Sequence, residues 1–200
     1  MEGFGNVWQI IGNISTAEQT MSMDMTAMCN INLLYFIVSV LVCLFVREDF
    51  RSGYAKNLFT VRAKKSDYVI SKTLVCFVGG ALMVPAFFVG SLAGGAIAGL
   101  PTQMVGFNTG NLVMCVLAKV LLIAVFVPIY LIMAVIAKNK AWLSILLSMM
   151  AGMFMFMMIP MLTPLDATPI HVFGCLAGGV LFAIGLGAVS NLILKKTSLV

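Results

Sequence analysis

The side chains that most often do chemistry are few and scattered in this sequence. It has one histidine, His171, and five cysteines that lie far apart, without the short spacings typical of a metal or redox site. It has no phosphate-binding loop ending in Gly-Lys-Ser or Gly-Lys-Thr, and no apolar stretch contains a pair of carboxylates. The sequence therefore predicts no catalytic residues, no metal site and no cofactor. If the protein uses ATP, a separate subunit must hydrolyse it.

Methionine is the other group with possible chemistry, since thioether clusters can bind Cu(I). Met21, Met23, Met25 and Met28 precede the first long apolar stretch, so a copper permease is one alternative. Seven more methionines lie between positions 149 and 161, mixed with Phe and Ile on all sides of a predicted helix. That mixture favours flexible packing, or a channel surface that accepts varied hydrophobic peptides.

Charge is concentrated in one segment, REDFRSGYAKNLFTVRAKKSDY, which runs from position 47 to position 68. It holds nine of the 19 charged residues, in a chain that is 62% hydrophobic and 10% charged. Its apolar residues at helical spacing are Phe50, Tyr54, Leu58 and Val61. The basic residues Arg51, Lys56 and Arg62 fall largely on other faces. This pattern predicts a short amphipathic helix along the cytoplasmic face of a membrane, with its aromatic side toward the membrane or the protein. The simplest interpretation is a helix that only anchors the topology.

The elements that must position this segment are long apolar stretches. A helix needs roughly 20 apolar residues to cross the hydrocarbon core, and the alternating pattern of a transmembrane barrel is missing from the sequence. We therefore expect an all-α polytopic membrane protein, with residues 1–200 as a single transmembrane domain. The expected spans are 25–46, 73–100, 111–137, 141–161 and 170–194, with an outside segment at 1–24 and a cytoplasmic loop at 47–72.

The basic residues predict the orientation of these spans. In a five-span arrangement, 11 of the 12 Lys and Arg residues lie on one side of the membrane. The charged residues on the other side are all acidic, namely Glu2, Glu18, Asp24 and Asp166. The positive-inside rule then places the charged loop and the C-terminus in the cytoplasm and the N-terminus outside.

Lys119 is the one charged residue inside a predicted span. The sequence favours a side chain that snorkels to the outer headgroups, with a role in lining a transport pathway as the alternative. Pro85 and Pro128 lie in the middle of their spans and are expected to kink them, so they are the other candidate pathway residues.

The charged segment resembles the permease subunits of type-2 ABC exporters, and most closely the small permeases of bacterial peptide and lantibiotic exporters. The resemblance rests on an acidic residue, a glycine and a Lys-Asn pair in the cytoplasmic loop. Here these are Glu48 or Asp49, then Gly53, then Lys56 and Asn57. The Ser-x-Tyr-x-x-x-Lys pattern that opens the family's next span matches Ser66, Tyr68 and Lys72. Five helices are expected in this chain, whereas such permeases usually have six.

The resemblance implies that residues 48–65 form a coupling helix that docks in a groove of a separate ABC ATPase subunit. The residues implied in that contact are Glu48, Asp49, Arg51, Gly53, Tyr54, Lys56, Asn57 and Arg62. It also implies a second permease copy or a sister permease as partner, a bacterial cell membrane as location, and export of a hydrophobic or amphipathic substrate, most simply a peptide. The rival interpretation is a membrane immunity or assembly factor that transports nothing.

Overall fold

The computed structural model describes residues 6–13, 30–60, 64–137, 140–156 and 158–196, and every regular element among them is a helix. A short 3-10 helix, Val7–Ile10, comes first. The α-helices are α1 (Leu33–Arg51), α2 (Tyr54–Thr60), α3 (Lys65–Ile97), α4 (Thr109–Ala137), α5 (Ala141–Phe156), α6 (Ile159–Leu162) and α7 (Pro169–Lys196). The all-α fold predicted from composition is confirmed.

Three of these helices are long and apolar enough to cross a membrane. They are α3, α4 and α7, with 33, 29 and 28 residues, and at 1.5 Å per residue each exceeds the ~30 Å hydrocarbon core. Helix α5 is equally apolar but has only 16 residues. Helix α1 has 19 residues, and its last turns carry the charged sequence Arg-Glu-Asp. A polytopic membrane fold follows from these helices, while the number of five crossings stays a prediction.

Helix α4 is the centre of the bundle, because it packs against α1, α3, α5 and α7. In its most apolar stretch 67% of the residues are buried, against 11% in α3 and in α7. Its residues are apolar on every side, as expected for a helix surrounded by neighbours. Phe126 of α4 stacks against Tyr35 of α1 with ring centroids 4.7 Å apart. Helices α3 and α7 are peripheral and expose wide apolar faces.

The helix bounds differ from the predicted spans in one instructive place. The stretch predicted as a single span at 141–161 contains α5, which ends at Phe156, and the separate short helix α6. Pro160 lies in the first turn of α6, where its missing N–H group costs no hydrogen bond. A proline farther inside a continuous helix would remove a hydrogen bond and clash with the preceding turn.

Residues 6–13, the described part of the predicted outside segment, form a cap over one end of the bundle. Val7 N donates to the carbonyl of Pro101 at 3.1 Å, and Trp8 Nε1 donates to Thr102 O at 3.0 Å. Leu165 N donates to Asn13 O at 2.9 Å, which joins the same segment to the connection before α7. The cap therefore ties the α3–α4 and α6–α7 connections together.

Candidate functional site

The charged segment forms a helix–bend–helix at the opposite end of the bundle from the cap. Helix α1 continues through the charged residues to Arg51, and Ser52 N donates to Glu48 O at 2.9 Å to close its last turn. Gly53 then adopts φ +74°, a left-handed conformation that glycine accepts readily. The chain turns there and starts α2, which leads within a few residues into α3.

This bend changes which residues of α2 face inward. Phe50 and Leu58 pack against the core, as the predicted amphipathic face requires. Tyr54 does not, because it is 52% exposed, and Ala55 takes the buried position at 0% exposure. In a continuous helix Phe50 and Tyr54, four residues apart, would lie on one face. The left-handed conformation of Gly53 interrupts the helix between them, so α2 starts with a different rotation about its axis. Tyr54 therefore does not share the buried side of Phe50 and Leu58, its predicted contact with the membrane stays a prediction, and Val61 lies outside the described residues.

Asp49 lies inside the junction and not on its surface. Lys72 Nζ of α3 is 2.6 Å from Asp49 Oδ2, and the two side chains are only 12% and 13% exposed. The Tyr68 hydroxyl donates to the same oxygen at 2.8 Å. Lys72 Nζ also lies 3.6 Å from the centre of the Phe45 ring, a favourable cation–π distance. This largely buried ion pair, with its additional hydrogen bond from Tyr68, joins the end of α1 to the start of α3.

A second contact joins the same junction to α7. Lys65 Nζ, in the first turn of α3, donates to the carbonyl of Leu194 at 2.5 Å. That carbonyl belongs to the last turn of α7, where backbone oxygens have no partner within the helix. Phe59 of α2 lies 5.6 Å from Lys65 Nζ and stacks edge-on against Tyr68 at 5.5 Å. Helix α2 is thus connected through side chains to α1, α3 and α7.

The outward side of the junction is polar, and among the described residues it has no ion pair as close as that of Asp49 and Lys72. Its exposed residues include Glu48, Arg51, Tyr54, Lys56 and Asn57. The pair Glu48–Arg51 is 3.8 Å apart with both side chains more than 60% exposed, so it adds little stability. Arg62, also predicted for this surface, lies outside the described residues. The sequence offered either Glu48 or Asp49 as the acidic residue of the family pattern. In the structure Glu48 faces outward and Asp49 faces inward.

Tyr68 and Lys72 belong to the Ser-x-Tyr-x-x-x-Lys pattern, which by itself assigned them no role. Their spacing of four residues places them on one face of α3, which indicates a common partner. The identity of that partner, Asp49, depends on how α1 and α3 pack. Lys65 and Phe59 gave no usable signal, because a lysine donating to a distant backbone carbonyl leaves no pattern in the sequence.

Lys119 forms a separate buried cluster near the cap. Its side chain is 1% exposed, and Nζ donates to Thr163 Oγ1 at 2.9 Å and to Asn32 Oδ1 at 3.2 Å. The backbone carbonyl of Lys119 accepts from the Tyr35 hydroxyl at 3.0 Å. The favoured snorkelling interpretation is therefore wrong, since inward oxygens satisfy the ammonium group. A role in a transport pathway stays a hypothesis.

The two prolines predicted for the pathway lie in different surroundings. Pro128 is buried in α4, and Pro85 is exposed on α3. Neither they nor Lys119 line the groove between α3 and α7 or the smaller pocket between α1 and α3. The structure therefore does not gather the three predicted pathway residues into either of these cavities.

Comparison with known families agrees with the fold and with the resemblance of the charged junction. The family model of the ABC-2 family transporter protein matches residues 4–155, which include the cap, α1 to α4 and most of α5. No curated protein and no solved structure matches the chain. The match spans about three quarters of the sequence and includes the whole α1–α2–α3 junction. This chain therefore belongs to the ABC-2 transporter family, whose members are membrane permease components of ABC transporters.

Proposed function

We propose that this chain is the permease subunit of an ATP-driven exporter and that the outward face of its α1–α2–α3 junction binds a separate ABC ATPase. The observation that supports this most is the separation of two acidic neighbours. Asp49 is bound internally by Lys72 and Tyr68, while Glu48 is exposed, as are Lys56 and Asn57. An anchor of topology alone would need neither the rigid inner cluster nor the short helix α2.

The inner contacts give this surface a mechanical link to the spans. A displacement of α2 by the ATPase is passed to α3 through the contact of Phe59 with Tyr68, and from α3 to α1 through Tyr68, Lys72 and Asp49. It is passed to α7 through Phe59, Lys65 and the carbonyl of Leu194. Alternating access then requires only that the ATPase bind one of two permease conformations more tightly when it holds ATP.

The proposed substrate is a hydrophobic or amphipathic peptide, moved outward across a bacterial cell membrane. Its support is the apolar character of the spans, which offer few polar groups that could coordinate an ion. A second permease copy or a sister permease would complete the pathway. The basic residues of the junction, at positions 47–72, support its cytoplasmic location and a C-terminus on the same side.

The test is co-purification of the ABC ATPase co-expressed with the tagged chain. Glu48→Lys combined with Lys56→Glu reverses two exposed charges and keeps the net charge constant. We expect this variant to lose the ATPase while the yield of permease stays unchanged, because neither side chain supports the fold. Lys140→Glu is the matched control, since Lys140 is exposed on the other cytoplasmic connection; it should retain the ATPase.

Two results would reject the proposal. If the folded wild-type chain retains no ATPase, the membrane immunity factor becomes the better interpretation. If the double variant and the Lys140→Glu control retain ATPase equally, binding occurs elsewhere and the junction is not the docking surface.

A further inference from the structure

Helices α3 and α7 enclose a groove that the proposed ATPase contact does not use. Its volume is about 550 Å³, and helix α4 forms its floor. The walls include Val69, Thr73 and Phe77 from α3 and Gly179, Ala183 and Gly187 from α7. The three α7 residues are four apart, so they form one continuous concave face. Neighbouring side chains such as Leu74 and Ile184 are more than 60% exposed, so the groove opens toward the membrane.

The groove is long enough to hold much of a hydrocarbon chain. Its lining on α3 extends from Ser66 to Phe77, which at 1.5 Å per residue is about 16 Å. An extended acyl chain can lie along a groove of this length, and the charges at its polar end favour a lipid over a second apolar helix across its mouth.

The polar end of the groove has the chemistry of a phospholipid headgroup site. Ser66 and Asn191 line this end, and Asn191 Oδ1 is buried without a hydrogen-bond partner among the described residues. Lys195 is exposed one turn beyond Asn191, on the same face of α7. Lys65 uses one of its three N–H groups on Leu194 O at this end.

The charge at this end favours an anionic headgroup. Lys64 is exposed just before the first turn of α3, which adds a third ammonium group to those of Lys65 and Lys195. Asp67 contributes the opposing charge, and its carboxylate accepts a long hydrogen bond of 3.4 Å from Ser66. Because this end has three lysines and one aspartate, its net charge is positive at the side that the topology assigns to the cytoplasm.

We infer that the groove between α3 and α7 binds one anionic phospholipid of the inner leaflet, with an acyl chain along the groove and its phosphate near Lys195. A glycerol hydroxyl on the headgroup would supply the donor that Asn191 Oδ1 lacks. Phosphatidylglycerol combines both features. The inference does not depend on the ATPase contact, since none of its residues belongs to the outward face of the junction.

The experiment is native mass spectrometry of the purified chain in detergent, with equal amounts of phosphatidylglycerol and phosphatidylcholine of the same chain length. Gly187→Leu places a side chain in the groove. Gly185→Leu is the matched control, because it lies on the same helix outside the groove and a Cβ atom at either position meets open space. We expect one tightly bound phosphatidylglycerol in the wild type and in the control. Gly187→Leu should reduce it about tenfold, as the loss of one or two buried methylene contacts predicts.

The charge is tested separately with Lys195→Gln, which leaves the groove intact. It should lower phosphatidylglycerol occupancy roughly fivefold, as removal of one surface lysine predicts, and leave phosphatidylcholine unchanged. Lys140→Gln is the control and should have no effect.

Three results would overturn the inference. They are equal binding of the two lipids by the wild type, equal lipid retention by the two leucine variants, and a Gly187→Leu variant that keeps its lipid but changes from dimer to monomer. The last result would assign the groove to a second copy of the chain. If Gly187→Leu does not fold, Lys195→Gln still decides, because an unchanged lipid preference in that variant rejects the headgroup site.

Discussion

Replacing Lys72 with methionine tests whether the ion pair with Asp49 holds α1 against α3. Methionine keeps most of the apolar length of lysine and removes the ammonium group that lies 2.6 Å from Asp49 Oδ2. Among the described residues, the carboxylate, 13% exposed, then keeps the hydrogen bond from Tyr68 at 2.8 Å as its one remaining side-chain contact. The variant therefore leaves a largely buried negative charge without its cation.

The expected loss is large for a single substitution. Breaking a buried ion pair by removing one partner costs about 3–5 kcal/mol, and the residual exposure of this pair favours the lower end, about 3 kcal/mol. For a chain of this size that corresponds to a fall of roughly 6–12 °C in the unfolding midpoint. Because membrane proteins often unfold irreversibly, the midpoints are compared at one scan rate in one detergent.

Two further variants make the test specific. Arg51→Met removes the cation of the exposed pair with Glu48. It should cost at most about 1 kcal/mol of stability, so its unfolding midpoint should fall much less than that of Lys72→Met. Lys72→Met combined with Asp49→Asn removes both charges and should recover most of the lost stability, since replacing both partners of a buried pair is often neutral. Equal shifts for Lys72→Met and Arg51→Met, or no recovery in the double variant, would refute the assigned role of Asp49.

Three other predictions concern the fold around this junction and the bundle. Gly53→Ala should lower stability by about 1–2 kcal/mol, because φ +74° disfavours any Cβ atom although the space is open, and should weaken ATPase co-purification. Gly80→Ala should destabilise the bundle by about 1–3 kcal/mol, since its Cβ would lie 2.8 Å from Ile123 Cγ2, whereas Gly79→Ala meets open space and should be neutral in the same thermal assay. Asn32→Leu, which removes one acceptor of the buried Lys119 ammonium, should cost about 1–3 kcal/mol, and adding Lys119→Met should restore most of it; no recovery would mean that Asn32 acts through other contacts.

The inner and outer roles of the charged residues could be predicted only in part. Clustering of charge between two apolar stretches is a property of the sequence alone, and it indicated the junction and its family. The choice between Glu48 and Asp49 was not available, because two adjacent residues on a helix differ in direction by about 100° and the sequence does not say where α3 lies.

Composition and hydropathy were sufficient to predict an all-helical membrane protein, because only helices and closed barrels satisfy their backbone groups in a bilayer and the alternating pattern of a barrel is missing from the sequence. The approximate positions of α3, α4 and α7 followed from the length of each apolar stretch. The charge bias supported one topology, and the Gly, Lys-Asn and Ser-x-Tyr-x-x-x-Lys residues pointed to the ABC-2 family. These features are local, so they can be recognised one segment at a time.

The tertiary structure decided the contacts between segments that are distant in the sequence. It showed that Lys119 turns inward to Asn32 and Thr163, that Lys65 donates to the end of α7, and that α3 and α7 leave a groove over α4. The bend at Gly53 also had to be seen, since one left-handed residue rotates the following helix and replaces Tyr54 by Ala55 on its buried face. Each of these depends on the packing of separate helices, which helical periodicity within a single segment does not specify.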